Sequence, residues 1–133
     1  MLDSVLRVFG EEFDVDSFLN EYPIPAHTES FRKGEPDLLG NPNSESGFDA
    51  LLSENENPAE NLREIQKFIE NNESTLSHLK NSGMNCIVDI GFTVGSSDQF
   101  TQSICVPPEL LGIFHRFNIS IEISAYPGDE GES

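Results

Sequence analysis

The sequence predicts an α+β fold in two layers: a mainly antiparallel sheet with about three helices packed on one face, in the order β-α-β-β-α-β-β-α-β. Three observations carry this. Residues 85–94 and 117–125 alternate apolar and polar, as strands with one buried and one solvated face do. Asn57-Pro58-Ala59-Glu60 has the form of a helix start, and Leu62, Ile65, Phe68 and Ile69 follow at spacings of three and four. Strand-like segments flank each helical one, which places the helices on one sheet and also allows a parallel pair.

The elements follow in order. Residues 4–9 (SVLRVF) read as a strand, broken at Gly10, Glu11 and Glu12. Asp14 or Asp16 is the N-cap of a short helix carrying Phe18, Leu19 and Tyr22, and Pro23 and Pro25 end it. Residues 26–33 read as a strand, stopped by Gly34 and Pro36, and 34–47 as a loop of unusual length. Residues 48–53 read as a strand. A helix over 58–80 continues its stripe to Leu76 and Leu79, with a weak point at Asn71-Asn72 and a stop at Gly83. Residues 85–94 and 100–106 read as a hairpin about a turn at 95–99. Pro107-Pro108-Glu109 opens a helix with Leu110, Leu111 and Phe114 inward. The last strand, 117–125, points Phe117, Ile119, Ile121, Ile123 and Ala125 inward. The expected domain is 1–126, with 127–133 a disordered acidic tail.

Leu, Ile, Val and Phe make 38 of 133 residues, above the roughly 20% below which charged chains stay disordered. The formal net charge is −17, from 24 acidic and 7 basic residues. Such a charge argues against nucleic-acid binding, because phosphate contacts need Lys and Arg. No apolar run approaches the length of a membrane span, and no basic segment followed by an apolar stretch marks a leader. A cytoplasmic location is the expectation. Cys86 and Cys105 sit in alternating apolar stretches and read as two buried, reduced thiols.

No catalytic motif is legible. His27, His78 and His115 are scattered, and GxSxG, HExxH, P-loop and GxGxxG patterns are absent from the sequence. The pairs Glu11-Glu12, Asp14-Asp16 and Glu54-Glu56 have the surface contexts of caps and turns. Neither metal nor cofactor is expected, since no set of ligands has a binding spacing. Arg32-Lys33-Gly34-Glu35 holds the one adjacent basic pair. It reads either as internal neutralisation against nearby carboxylates or as an anchor for an anionic group.

The stretch LRVFGEEFDVDSFLNEYPIPAHTESFRKGEP resembles the start of an uncharacterised bacterial domain family. That family opens with a strand, a short helix beginning in Asp, and a strand ending in a basic-Lys-Gly-Glu turn. The ending SICVPPELLGIFHRFNISIEISAYP resembles the same family, closing on Tyr126. The likeness covers about residues 4–127, and Phe48 stands where many members have Trp. It carries no catalytic residues. Some members resemble proteins encoded near polymorphic-toxin genes, which implies an immunity role.

The functional expectation is a non-enzymatic binding protein, in specific form an immunity-type inhibitor of a basic toxin. Residues 1–73 hold a net −12, and a concentrated acidic field steers a basic partner. The expected contact residues are Glu11, Glu12, Asp14, Asp16, Arg32, Lys33, Glu35, Asp37 and Glu45. One alternative is a structural or regulatory homo-oligomer, such as a homodimer joined through exposed strand edges. Another is a small-molecule enzyme with Arg32, His27 and Tyr22 lining its pocket.

Overall fold

β1 (Leu2–Gly10) takes the centre of a five-stranded sheet in this computed structural model, which describes residues 1–94 and 103–128. On one side it pairs antiparallel with β3 (Ser46–Ser53), and β3 pairs antiparallel with β2 (Thr28–Phe31). On the other side it pairs antiparallel with β4 (Asn85–Val94), which pairs parallel with β5 (Ile119–Pro127). The spatial order is β2-β3-β1-β4-β5. The α+β class and the largely antiparallel sheet stand, and the parallel pair is the one that the β-α-β return through α4 (Pro108–Arg116) supplies.

Among the described residues four helices, rather than about three, cover one face. The extra one arises at Asn72, where the predicted 58–80 helix splits into α2 (Pro58–Asn71) and α3 (Glu73–Asn81). The Asn72 side-chain amide donates back to the Phe68 carbonyl at 2.7 Å, so a side chain takes an acceptor that a continuing ladder would use. The start of α2 is as the sequence implies: Asn57 accepts from the Glu60 backbone N–H at 3.0 Å, with Pro58 at the first turn. The reciprocal half of a capping box is replaced, since the Asn57 N–H donates to Asn55. α3 ends on Gly83 with φ +74°. The Gly83 N–H donates to Lys80 and the Met84 N–H to Leu79, the paired bonds of a left-handed C-cap.

Among the described residues the predicted 85–94/100–106 hairpin is not formed. β4 uses one edge for β1 and the other for β5, so no edge remains for a returning strand. Residues 103–106 are not in a strand, and 95–102, which hold the predicted turn, lie outside the described residues. Cys105 is consequently exposed rather than buried, while burial in β4 pushes the Cys86 thiol up to about 11. β2 is four residues where 26–33 was expected, and the final strand runs through Pro127, past the expected boundary at 126. Residues 129–133 of the expected tail lie outside the described residues.

The core is a single cluster in which α1 (Val15–Glu21), α2, α3 and α4 meet one face of the sheet. Leu6 and Val8 of β1, Phe48 and Ala50 of β3, and Val88 and Ile90 of β4 face it and are buried to within 1%. Gly47 is required by packing, because a Cβ there would lie 2.1 Å from the Val8 carbonyl oxygen. Inward pointing does not guarantee cover at the margin: Leu111 and Ile123, both predicted inward, are 47% and 52% exposed, and Ala125 is exposed as well. Among the described residues no helix is long and apolar enough to cross a membrane.

Candidate functional site

The predicted contact residues fall into two groups that one side chain joins. Glu11 and Glu12 occupy the exposed turn after β1, and Asp14 caps α1, accepting from the Ser17 N–H at 3.2 Å. This decides between Asp14 and Asp16 as cap. Asp16 instead receives a two-pronged contact from Arg32, Nε to Oδ2 at 2.8 Å and Nη2 to Oδ1 at 2.5 Å. Arg32 also lies 3.6 Å from Glu35, so it ties α1 to the long loop. The guanidinium holds the Asp16 carboxyl below its ordinary range, chiefly by hydrogen bonding. Arg32 therefore serves internal neutralisation. Among the described residues no ion pair involves the Lys33 ammonium, and its backbone N–H donates to Ser46 Oγ at 2.8 Å.

The loop after Lys33 is internally bonded. Two backbone bonds cross it: the Gly34 N–H donates to the Asn43 carbonyl and the Asn43 N–H to the Glu35 carbonyl, each at 2.8 Å. Pro36 and Pro42 form an isolated bridge. The Asp37 carboxylate accepts from the N–H groups of Leu39 and Asn41, both at 2.9 Å, and closes the tip. Leu38 and Leu39 stand out there at 105% and 87% exposure, between Glu35 and Asp37 on one side and half-buried Glu45 on the other. The sequence reading passed over these two leucines, although an apolar pair inside a polar loop was visible.

Beside this loop group, α1 and the C-terminal part of α3 enclose a cleft of about 390 Å³. Glu12, Asp14 and Glu21 line it with Phe13, Phe18 and His78, and no Lys or Arg does. The aromatic wall is a run of stacked rings. Phe18 stacks on Phe48 at 5.8 Å and on Tyr22 at 5.3 Å, and Tyr22 stacks on His78 at 4.7 Å. Three carboxylates around aromatic rings make an environment for a cationic side chain, by charge and by cation–π attraction. The proposed pocket residues of the enzyme alternative are engaged elsewhere: Tyr22 on His78, Arg32 on Asp16, and His27 3.6 Å from Glu29.

The uncovered sheet face holds a second charged group. Arg7 lies between Asp49, at 3.8 Å, and Asp89, at 3.4 Å. Asp89 is buried to 5% and also accepts from Ser124 Oγ at 2.9 Å. Alternation placed Asp89 on this face but could not show that its neighbours enclose it. Burial pushes the half-buried Asp49 carboxyl up; Arg7 opposes this, and Glu29 and Asp89 add to it. A raised pKa in the folded state means that the ionised form costs stability. That cost is absent below the ordinary carboxylate range and complete above the raised value. Asp49→Asn should therefore melt a few degrees above the parent at pH 7 and no higher in acid below that range, as thermal unfolding at the two pH values will show.

Among the described residues no group of three or more His, Cys, Asp or Glu is placed to hold a metal ion. In comparisons with known proteins, no family model, no curated protein and no solved structure matches this chain.

Proposed function

We propose that this protein is a non-enzymatic binding module for a basic protein partner, which it engages through α1, the cleft beside it and the loop at 34–45. One observation carries the reading: Glu12, Asp14 and Glu21 converge on an aromatic-walled cleft that, among the described residues, no Lys or Arg lines. A Lys or Arg side chain entering it gains charge attraction and ring contact together. Asp37 extends the negative field beyond the cleft, while Arg32 offsets Asp16 and Glu35, and Leu38 and Leu39 supply apolar anchors that water-exposed carboxylates cannot. An immunity-type inhibitor is the specific form that the family resemblance implies: such a surface would cover the phosphate-binding face of a toxin acting on nucleic acid.

The test uses a tri-arginine peptide as probe and amide chemical shifts of the purified protein as readout. Shifts are expected at Glu12, Phe13, Asp14, Ser17 and Glu21, fading as salt is raised. Glu12→Gln with Glu21→Gln should weaken the peptide about five- to tenfold, from two partly exposed charge contacts of roughly 0.5–0.7 kcal/mol each. Equal shifts around Glu70 and Glu122 would mean diffuse attraction to an acidic protein and would overturn the assignment of the cleft.

A further inference from the structure

The outer edge of β5 lacks the usual protection against pairing with another strand. Among the described residues no strand lies beside it, and it is nine residues long. Its register with β4 runs without interruption from Ile119 to Pro127, so no bulge turns the edge away. Lys, inward-pointing charge and mid-strand Pro are the usual devices against edge pairing. β5 (ISIEISAYP) has none of them, since its Pro stands at the last position. The opposite edge is blunted in the ordinary way, because β2 has only four residues. β5 is also nearly free of the charge that pervades the chain: Glu122 is its one ionisable carboxylate.

The strand is self-complementary. Antiparallel pairing with a second copy about a two-fold axis at Ile123 uses the whole strand, because Ile123 is the midpoint of Ile119–Pro127. In that register Ile123 meets Ile123, Ile121 meets Ala125, Glu122 meets Ser124 and Ser120 meets Tyr126. Like charges do not oppose each other, whereas a register centred on Glu122 would set the two carboxylates face to face. Ile123 is 52% exposed, although it points toward the helix layer, and Leu111 on the adjoining α4 is 47% exposed. Cross-strand partners share a face, so both helix layers lie on the same side and each Ile123 is covered by its copy.

We infer that β5 is a homodimer edge, joining two copies antiparallel about Ile123 into one ten-stranded sheet. This surface is separate from the acidic cleft and stands or falls independently of it.

Two measurements test the inference. Sedimentation equilibrium at about 0.1 mM should give a dimer mass for the parent and a monomer mass for Ile123→Lys, which sets two ammonium groups against each other at the axis. Cross-linking reads the register, in a Cys105→Ser background that removes the exposed native thiol. Ile123→Cys should oxidise to a linked dimer, because directly opposed residues lie about 4.5–5.5 Å apart. Ile121→Cys should not, because its copy lies four residues along, about 13 Å away. A monomeric parent, a dimer that survives Ile123→Lys, or equal cross-linking at both positions would each overturn the inference. Should Ile123→Lys fail to fold, the parent mass and the two cysteine variants still decide it.

Discussion

Val88→Asp will not fold, whereas Ile121→Asp will fold with reduced stability. The two residues are register partners on β4 and β5 and point toward the same helix layer. Val88 has no exposed surface and lies between Leu6 of β1 and Ile121 of β5. A carboxylate there loses its water with no cation in reach, which costs several kcal/mol, and the lost valine burial adds about 1.5 kcal/mol or more. Against a typical stability of 5–15 kcal/mol, that is enough to unfold a domain of this size. Ile121 is half-buried on the edge strand, where an aspartate can turn its carboxylate to water, so about 1–3 kcal/mol is expected. Glu122→Lys, on the opposite and exposed face, should stay within about 0.5 kcal/mol of the parent. Urea unfolding followed by circular dichroism separates the three. Similar midpoints for Val88→Asp and Ile121→Asp would mean that β5 is as deeply enclosed as β4, against the exposure described above.

Asn61→Ala will cost about 2–4 kcal/mol, an unusual loss for a helix asparagine. Asn61 is 1% exposed in the first turns of α2. Its amide nitrogen donates to the carbonyls of Leu2, at 3.1 Å, and Asn55, at 3.0 Å, and its oxygen accepts from the buried Ser4 hydroxyl. One side chain thus joins the central strand, the segment before α2 and the helix itself. Truncation leaves a cavity and strands the Ser4 hydroxyl, and an unmade buried bond costs more than a made one contributes. Asn61→Leu alone should also destabilise, since it fills the space without an acceptor for Ser4. Adding Ser4→Ala should recover part of the loss, because the orphaned group is then gone. Chemical denaturation of the two single variants and the double variant gives the coupling between the positions. Strict additivity would show that Ser4 and Asn61 act separately.

The features legible in the sequence are those written within a few residues of one another. Asn57-Pro58 at the start of α2, Asp14 as a cap, Gly83 as a stop and the weakness at Asn72 each rest on bonds spanning two to five positions. Local composition therefore announces them. The alternation of β1 and β4 told which side chains share a face, for the same reason. Acidity was legible as a count, concentrated in residues 1–73.

Choice of neighbour was not legible. Residues 100–106 alternate enough to read as a strand, yet β4 has two edges, and strands from both ends of the chain occupy them. Periodicity, of strand or helix, also cannot tell a covered margin from an open one: Ile123 of β5 and Leu111 of α4 read as core, yet both are exposed. Asn61 became a core residue through partners fifty-seven and fifty-nine positions away. The cleft exists because α3 brings His78 against Tyr22, a contact that no spacing within α1 encodes. Sequence alone determined the helix ends, the strand faces and the sign of the surface. Tertiary structure decided which edges pair, which inward side chains are covered and which carboxylates converge. Capping and alternation involve bonds between near neighbours, whereas pairing and enclosure depend on segments that only the folded chain brings together.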